Sequence, residues 1–169
     1  VGAALVLTSP GIPMIFQGQE FLQGEWFRDD VPLDWDLNED YHGIVRLYRD
    51  LTRLRRNWRD STRGLSGHGT QILHLDEQAN VLAFHRFAEG GPSDSVVVVV
   101  NLGAGEQHDY RIPMPAAGYW KLELNSNAKL YSDDFADFVS TDTETEAEGD
   151  EHTALVSIAP YSVLIYSLS

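Results

Sequence analysis

The chain has 169 residues with a hydrophobic fraction of 43%, so it can bury a core, and wholesale disorder is excluded. Its formal net charge of −14 would repel nucleic acid but leaves neutral polymers such as polysaccharides open as ligands. The lack of cysteine excludes disulfides and thiolate chemistry. Because no apolar run suits a membrane span or a signal peptide, we expect a cytoplasmic protein without a membrane partner.

The start of the chain carries the pattern of a helix followed by a buried strand. Residues 1–8 predict the end of a buried helix, which Ser9-Pro10-Gly11 terminates. The short apolar run Ile12–Phe16 predicts a buried strand, and this order is typical of βα units around a parallel sheet. Because Val1 lies inside the apolar stretch without a helix cap, we expect the chain to continue a larger protein.

A long polar and aromatic loop is predicted over residues 18–41. Loops of this length are often functional, and an exposed tryptophan can stack against the face of a sugar ring. Trp26 and Trp35 therefore have two interpretations: they are sugar-stacking platforms, or they anchor the loop to its scaffold.

The clearest helix is predicted over residues 42–58, where apolar residues follow the spacing of one buried stripe. Residues 46–63 also hold seven arginines, mostly off this stripe. We interpret the arginines as a solvated helix face and not as a nucleic-acid patch. The members of the stripe are Ile44, Leu47, Tyr48, Leu51, Leu54 and Trp58.

From about residue 66 the hydrophobic period changes to two, and turn residues separate seven apolar segments. This pattern predicts an antiparallel β-sandwich. Val96–Val100 lacks alternation and predicts a central strand that is covered on both faces. The acidic, threonine-rich segment Ser140–His152 predicts a mobile insertion. The predicted strands lie at residues 71–75, 81–87, 95–100, 108–113, 119–124, 154–158 and 163–168.

The motifs of common catalytic and metal sites are missing from the sequence, which has no nucleophile elbow, phosphate-binding loop or paired zinc histidines. Glycoside cleavage needs two carboxylates across a cleft, and no pair here occupies the ends of two strands. The alternating acids at residues 142–148 have the wrong order for a calcium loop. His74 and His85 fall within strand patterns, as structural residues do. We predict no catalytic residue, no metal site and no cofactor in this chain.

Several segments resemble the α-amylase superfamily, glycoside hydrolase family 13. Residues 5–21, LVLTSPGIPMIFQGQEF, resemble its Pro-Gly-x-Pro turn, eighth barrel strand and Gly-x-Glu ending. Pro32-Leu-Asp-Trp35 is similar to the sequence that follows this strand in 1,4-α-glucan branching enzymes. The helix from His42, residues 118–126 (GYWKLELNS) and residues 159–165 resemble the eighth barrel helix and the C-terminal β-domain of the same group.

The resemblance implies a mainly β fold, an antiparallel β-sandwich preceded by the last βα unit of a TIM barrel. Residues 1–62 would end the (β/α)8 catalytic barrel, and residues 63–169 would form the C-terminal all-β domain. The parent would be a retaining 1,4-α-glucan branching enzyme that binds α-glucan through its barrel. Its catalytic carboxylates would follow barrel strands four, five and seven, outside this chain, so we expect the chain alone to be inactive and structural.

The resemblance also suggests substrate contacts, because barrel active sites form at the C-terminal ends of the strands. Gln19, Glu20 and Trp26 lie in the loop that would follow the eighth strand and are the predicted contacts. Since Ile12–Phe16 would lack its barrel neighbours, we expect self-association, or repacking of residues 1–35 onto the β-domain.

Two alternatives stay open. The parent could be an α-amylase-type or trehalose-releasing hydrolase, which shares much of the eighth strand. The chain could instead be a carbohydrate-binding β-sandwich module that uses Tyr119, Trp120 or Tyr131 as sugar platforms.

Overall fold

The helices of the chain precede its strands. The computed structural model describes residues 1–24, 26 and 28–169. Helix α1 spans Gly2–Thr8, α2 spans Leu37–Asp40 and α3 spans His42–Arg55. Two short 3₁₀ turns lie at Gln19–Phe21 and Arg63–Ser66.

The strands form two sheets in which all neighbouring strands run antiparallel, so the predicted mainly β, antiparallel fold is confirmed. One sheet has the order β1-β2-β3-β9-β5-β6 and the other β4-β8-β7. The seven predicted strands correspond to seven of the strands observed. The bounds are β1 Gly69–Asp76, β2 Val81–Phe87, β3 Val96–Asn101, β4 Gln107–Met114, β5 Tyr119–Asn125, β6 Thr143–Glu144, β7 Glu146–Glu148, β8 Glu151–Ile158 and β9 Ser162–Leu168.

The central strand β3 explains how the layers are held together. Val96, Val98 and Val100 point into a core shared with α1 and α3, while Val97 and Val99 point into a second core between the two sheets. All five valines are fully buried, as the missing alternation predicts. The large sheet therefore has helices on one face and the small sheet on the other.

Helix α3 confirms the predicted helix but not its C-terminal end. Leu47, Leu51 and Leu54 are buried, whereas Trp58 is 66% exposed and does not belong to the stripe. The helix ends at Arg55, and Asn57 with a φ of 51° turns the chain away before Trp58 is reached. The helical spacing consequently does not continue to Trp58.

The predicted buried strand at Ile12–Phe16 is wrong. These residues form neither helix nor strand, and the side chain of Ile12 is 98% exposed. A strand of a parallel sheet is stabilised by hydrogen bonds to its neighbours, and no segment of the described chain pairs with this one. Its apolar side chains are left poorly covered, as expected for a strand without neighbours.

The predicted mobile insertion at Ser140–His152 is also wrong. Strand β6 pairs with β5, and β7 pairs with β8 across a turn at Gly149, whose φ is 66°. The carboxylate of Asp142 accepts hydrogen bonds from the backbone N–H of Leu122, at 2.7 Å, and from the hydroxyl of Tyr119. A strand in which Thr and Glu alternate can direct its Glu side chains to solvent. The acidic composition of the segment therefore did not prevent its strands from pairing with β5 and β8.

Candidate functional site

The loop after Phe16 is held by a tight turn and an aromatic contact. Gly18 and Leu22, both with positive φ, bracket the 3₁₀ turn Gln19–Phe21. Phe21 is buried, and its ring centroid lies 5.3 Å from that of Trp35. This contact joins two residues of the same loop and leaves 65% of Trp35 exposed, so both interpretations of Trp35 stay predictions.

A groove of about 410 Å³ opens in this loop, and it brings together two of the three predicted contacts. Gln19 and Trp26 both line it, beside Arg28 and Leu33. Trp26 is 94% exposed, so its ring is available to a ligand. A mostly apolar groove with an exposed indole and a few polar groups can hold the face and the hydroxyl groups of a sugar.

Glu20 does not line this groove. Its side chain lies in a separate cavity beside Tyr48 and Val45 of α3, and its Oε2 is buried without a hydrogen-bond partner among the described residues. Burial raises the pKa of the Tyr48 phenol, a hydrogen bond with Gln19 opposes this effect, and the charge of Glu20 adds to it. The predicted contacts Gln19 and Glu20, adjacent in sequence, thus both lie near Tyr48, but only Gln19 lines the groove.

Two of the three aromatic platforms of the module alternative do not form. Trp120 is fully buried in the core between the sheets, and Tyr131 is 6% exposed. Tyr119 is partly exposed, but its hydroxyl donates to Asp142. A sugar cannot stack on the first two, so the interpretation of these residues as platforms is wrong for Trp120 and Tyr131.

Neither a metal cluster nor a membrane helix was found where the chain is described. Within residues 1–24, 26 and 28–169, no three His, Asp or Glu side chains are placed to share a metal ion. The helices of the same residues are all too short or too polar to cross a membrane.

Sequence reasoning missed two arginines that tie α1 to the rest of the chain. Arg86 is fully buried and donates to the carbonyls of Thr8, Leu65, Gly67 and Gly69. Arg55 donates to Ser9 at 2.6 Å and to Gly11. Both guanidinium groups thus meet the negative end of helix α1. An arginine next to a histidine in a largely apolar strand was the signal available for Arg86.

His85 is the buried titratable histidine of the β-domain. It is 6% exposed, stacks on Phe87 with ring centroids 4.6 Å apart, and has no partner for Nε2 among the described residues. Burial lowers its pKa to about 4, and the charge of Asp94 offsets part of the effect. The folded chain therefore keeps His85 neutral in mildly acidic solution.

The stability of the chain is expected to fall as the pH is lowered from about 6.5 to about 4. In this window the unfolded chain binds a proton on His85 that the folded chain does not, so the free energy of unfolding decreases toward acid, by up to about 3 kcal/mol. Urea unfolding at a series of pH values measures the slope.

The variant His85→Gln is expected to show a flatter slope over the same pH window, whatever its absolute stability. His68 is exposed, so His68→Gln serves as the matched control and should retain the slope of the unsubstituted chain. An unchanged slope in His85→Gln would show that other groups carry the acid sensitivity.

Comparison with known proteins places these features in context. Residues 72–169 match the family model of the α-amylase C-terminal all-β domain. A 1,4-alpha-glucan branching enzyme of Rhodospirillum rubrum is 31% identical over 163 residues, which are 94% of this chain and 22% of that protein. The corresponding enzyme of Rhizobium meliloti is 38% identical over 126 residues, 72% of this chain and 17% of that protein. The chain thus spans about a fifth of the length of these relatives.

Solved structures share the fold across nearly the whole chain. A debranching enzyme of Nostoc punctiforme superposes with a TM-score of 0.63 at 18% identity, over 98% of this chain and 30% of that one. A pullulanase of an Anoxybacillus species gives a TM-score of 0.62 at 19% identity, over 99% of this chain and 22% of that one. At such identities the likeness concerns the fold alone.

Proposed function

We propose that this chain, which belongs to the family of α-amylase C-terminal all-β domains, is the C-terminal part of a 1,4-α-glucan branching enzyme. In that enzyme it would serve as a structural domain. The observation that carries the proposal is the continuous likeness to branching enzymes over 94% of the chain, which extends beyond the residues of the family model. A likeness confined to the β-domain would not distinguish one glucan-active enzyme from another.

The proposed division assigns residues 1–62 to the end of the catalytic barrel and residues 63–169 to the β-domain. The two parts are joined by one core, in which Leu51 of α3 packs with Val98 of β3 and Ile165 of β9. A domain that shares a core with the last barrel helix can fix the position of that helix. Its contribution to catalysis would then be the stability of the barrel.

The exposed apolar residues of the first segment support the same proposal. Ile12, Met14 and Phe16 are 98%, 77% and 56% exposed, which is costly for residues of this type. In the proposed enzyme the neighbouring barrel strands cover them. Self-association of the isolated chain through this surface stays a prediction, which light scattering would test.

The groove that contains Gln19 and Trp26 is proposed to contact the glucan beside the catalytic centre. Glu20, which lies beside Tyr48 and outside this groove, is not part of the proposed contact. The catalytic carboxylates themselves would come from barrel strands outside this chain, and the enzyme would work in the cytoplasm on a storage glucan.

The proposed function is tested with the longer protein that carries this chain. Incubation with amylose should create α-1,6 linkages, counted by proton NMR, with few new reducing ends. The 169-residue chain alone should produce neither, because cleavage needs an acid and a nucleophile held on a complete scaffold. New reducing ends without α-1,6 linkages would identify a hydrolase and reject the branching proposal.

A further inference from the structure

A groove of about 370 Å³ between α3 and the β-domain is lined by an unusual share of the positive charge of the chain. Four of the 12 basic residues of the chain contribute to it, against two carboxylates. The groove is therefore locally positive on a protein whose net charge is −14. The charged lining residues are Arg46, Arg49, Arg53, Arg59, Asp50 and Glu123.

Both carboxylates of the groove already have partners. Asp50 accepts a hydrogen bond from the hydroxyl of Tyr131 at 3.2 Å and pairs with Arg53 at 3.3 Å and with Arg46 at 3.8 Å. The side chain of Glu123 is 1% exposed and accepts from Lys121 at 3.3 Å and from the hydroxyl of Ser167 at 2.9 Å. The two acids consequently pair with Arg46, Arg53 and Lys121, and not with Arg49 or Arg59.

Arg49 and Arg59 have no carboxylate within ion-pair distance in the described part of the chain. Both residues are exposed. Arg46, Arg49 and Arg53 are three and four residues apart and so lie on one face of α3, where Asp50 offsets the charge of Arg46 and Arg53 but not that of Arg49. The guanidinium donors of Arg49 and Arg59 are thus available to a ligand.

The walls of the groove are fixed before any ligand arrives. A Cβ placed on Gly43 of α3 would come within 2.3 Å of the carbonyl oxygen of Tyr131, so helix and loop are in direct backbone contact. The hydrogen bond from the hydroxyl of Tyr131 to Asp50 joins the same loop to a later residue of α3. Binding at a preformed site loses little conformational entropy.

We propose that this groove binds a small phosphate monoester. Guanidinium groups match phosphate oxygens with paired hydrogen bonds, and Arg49 and Arg59, beside two arginines that share a single carboxylate, suit a doubly charged oxyanion better than a single negative charge. The volume exceeds that of a bare phosphate and lies in the range of small-ligand sites. The overall negative charge disfavours a polyanion, so the ligand is a small molecule.

Isothermal titration calorimetry of the 169-residue chain tests the proposal, with glucose 1-phosphate as the probe and ionic strength held constant. We expect one binding site for glucose 1-phosphate and none for neutral glucose. Arg49→Gln and Arg59→Gln should each weaken binding about ten-fold, because each removes charge-assisted hydrogen bonds. Arg63→Gln is the matched control, since Arg63 is exposed, pairs with Glu89 outside the groove and should leave affinity unchanged.

Three outcomes would overturn the proposal. Weakening by Arg63→Gln equal to that of Arg49→Gln would mean that general charge drives binding. Equal affinity for inorganic phosphate would reject the monoester. Binding by the 169-residue chain but not by the longer protein would mean that another segment fills the groove. Circular dichroism confirms folding of each variant, and because calorimetry does not depend on catalysis, failure here would leave the proposed function untouched.

Discussion

Replacement of Arg86 by leucine is expected to destabilise the chain by about 3 kcal/mol or more, because each buried carbonyl left without a donor costs about 1–3 kcal/mol. The guanidinium donates to Thr8 and Leu65, and at 2.7 Å to Gly67. Leucine has a similar apolar stem but no donor. The gain from removing a buried charge offsets part of the loss without cancelling it, since several carbonyls depend on the one side chain.

Urea unfolding followed by circular dichroism measures this difference. Arg63→Leu is the matched control, because the side chain of Arg63 is 55% exposed and pairs with Glu89 on the surface. A change below about 1 kcal/mol is expected there. Arg86→Lys should fall between the two, since lysine keeps the charge but cannot reach several carbonyls at once. Equal stability of Arg86→Leu and the unsubstituted chain would contradict the stabilising role assigned to Arg86.

The role of Arg86 illustrates what the sequence could not predict. Its partners are backbone carbonyls, and Thr8 lies 78 residues away along the chain. No residue type marks a carbonyl that needs a donor, so no spacing rule connects them. The strand around Arg86 was predictable from its apolar neighbours, whereas the reason for a charge within it came from the tertiary arrangement.

The elements predicted correctly are those whose burial is local in origin. Five consecutive valines in β3 require cover on both faces, and the spacing of Leu47, Leu51 and Leu54 requires one buried face of a helix. Ile12–Phe16 had an equally apolar sequence, but a parallel strand depends on partners elsewhere. The apolar run therefore predicted that these residues are buried, but it could not show that the described chain lacks the strands that would cover them.

The candidate groove was predictable in part for a similar reason. Gln19 and Trp26 were chosen by their position after the expected eighth strand, and they line one groove. Glu20 was chosen by the same argument and lies elsewhere, because consecutive residues of a 3₁₀ turn point in different directions. Whether either group touches a sugar stays a prediction.

Leu51→Ala is expected to destabilise the chain by about 2–5 kcal/mol, the usual cost of removing a fully buried leucine side chain. Leu51 is 1% exposed and lies in the core that joins α1 and α3 to the large sheet. A cavity there borders the sheet and both helices, so rigid neighbours limit its collapse. Urea unfolding of the chain measures the loss, and Leu75→Ala, at a side chain that is 65% exposed, is the matched control with a change within about 0.5 kcal/mol.

The same substitution in the longer protein separates scaffold from mechanism. If the β-domain supports α3 from outside the catalytic centre, Leu51→Ala lowers the melting temperature and the folded fraction of the longer protein. The turnover of its folded fraction then remains close to that of the unsubstituted protein. Activity per folded molecule, measured well below the melting temperature, makes the distinction. A variant that retained its melting temperature but lost turnover would place α3 in the catalytic mechanism, because a packing defect acts on a distant reaction through the population of folded enzyme.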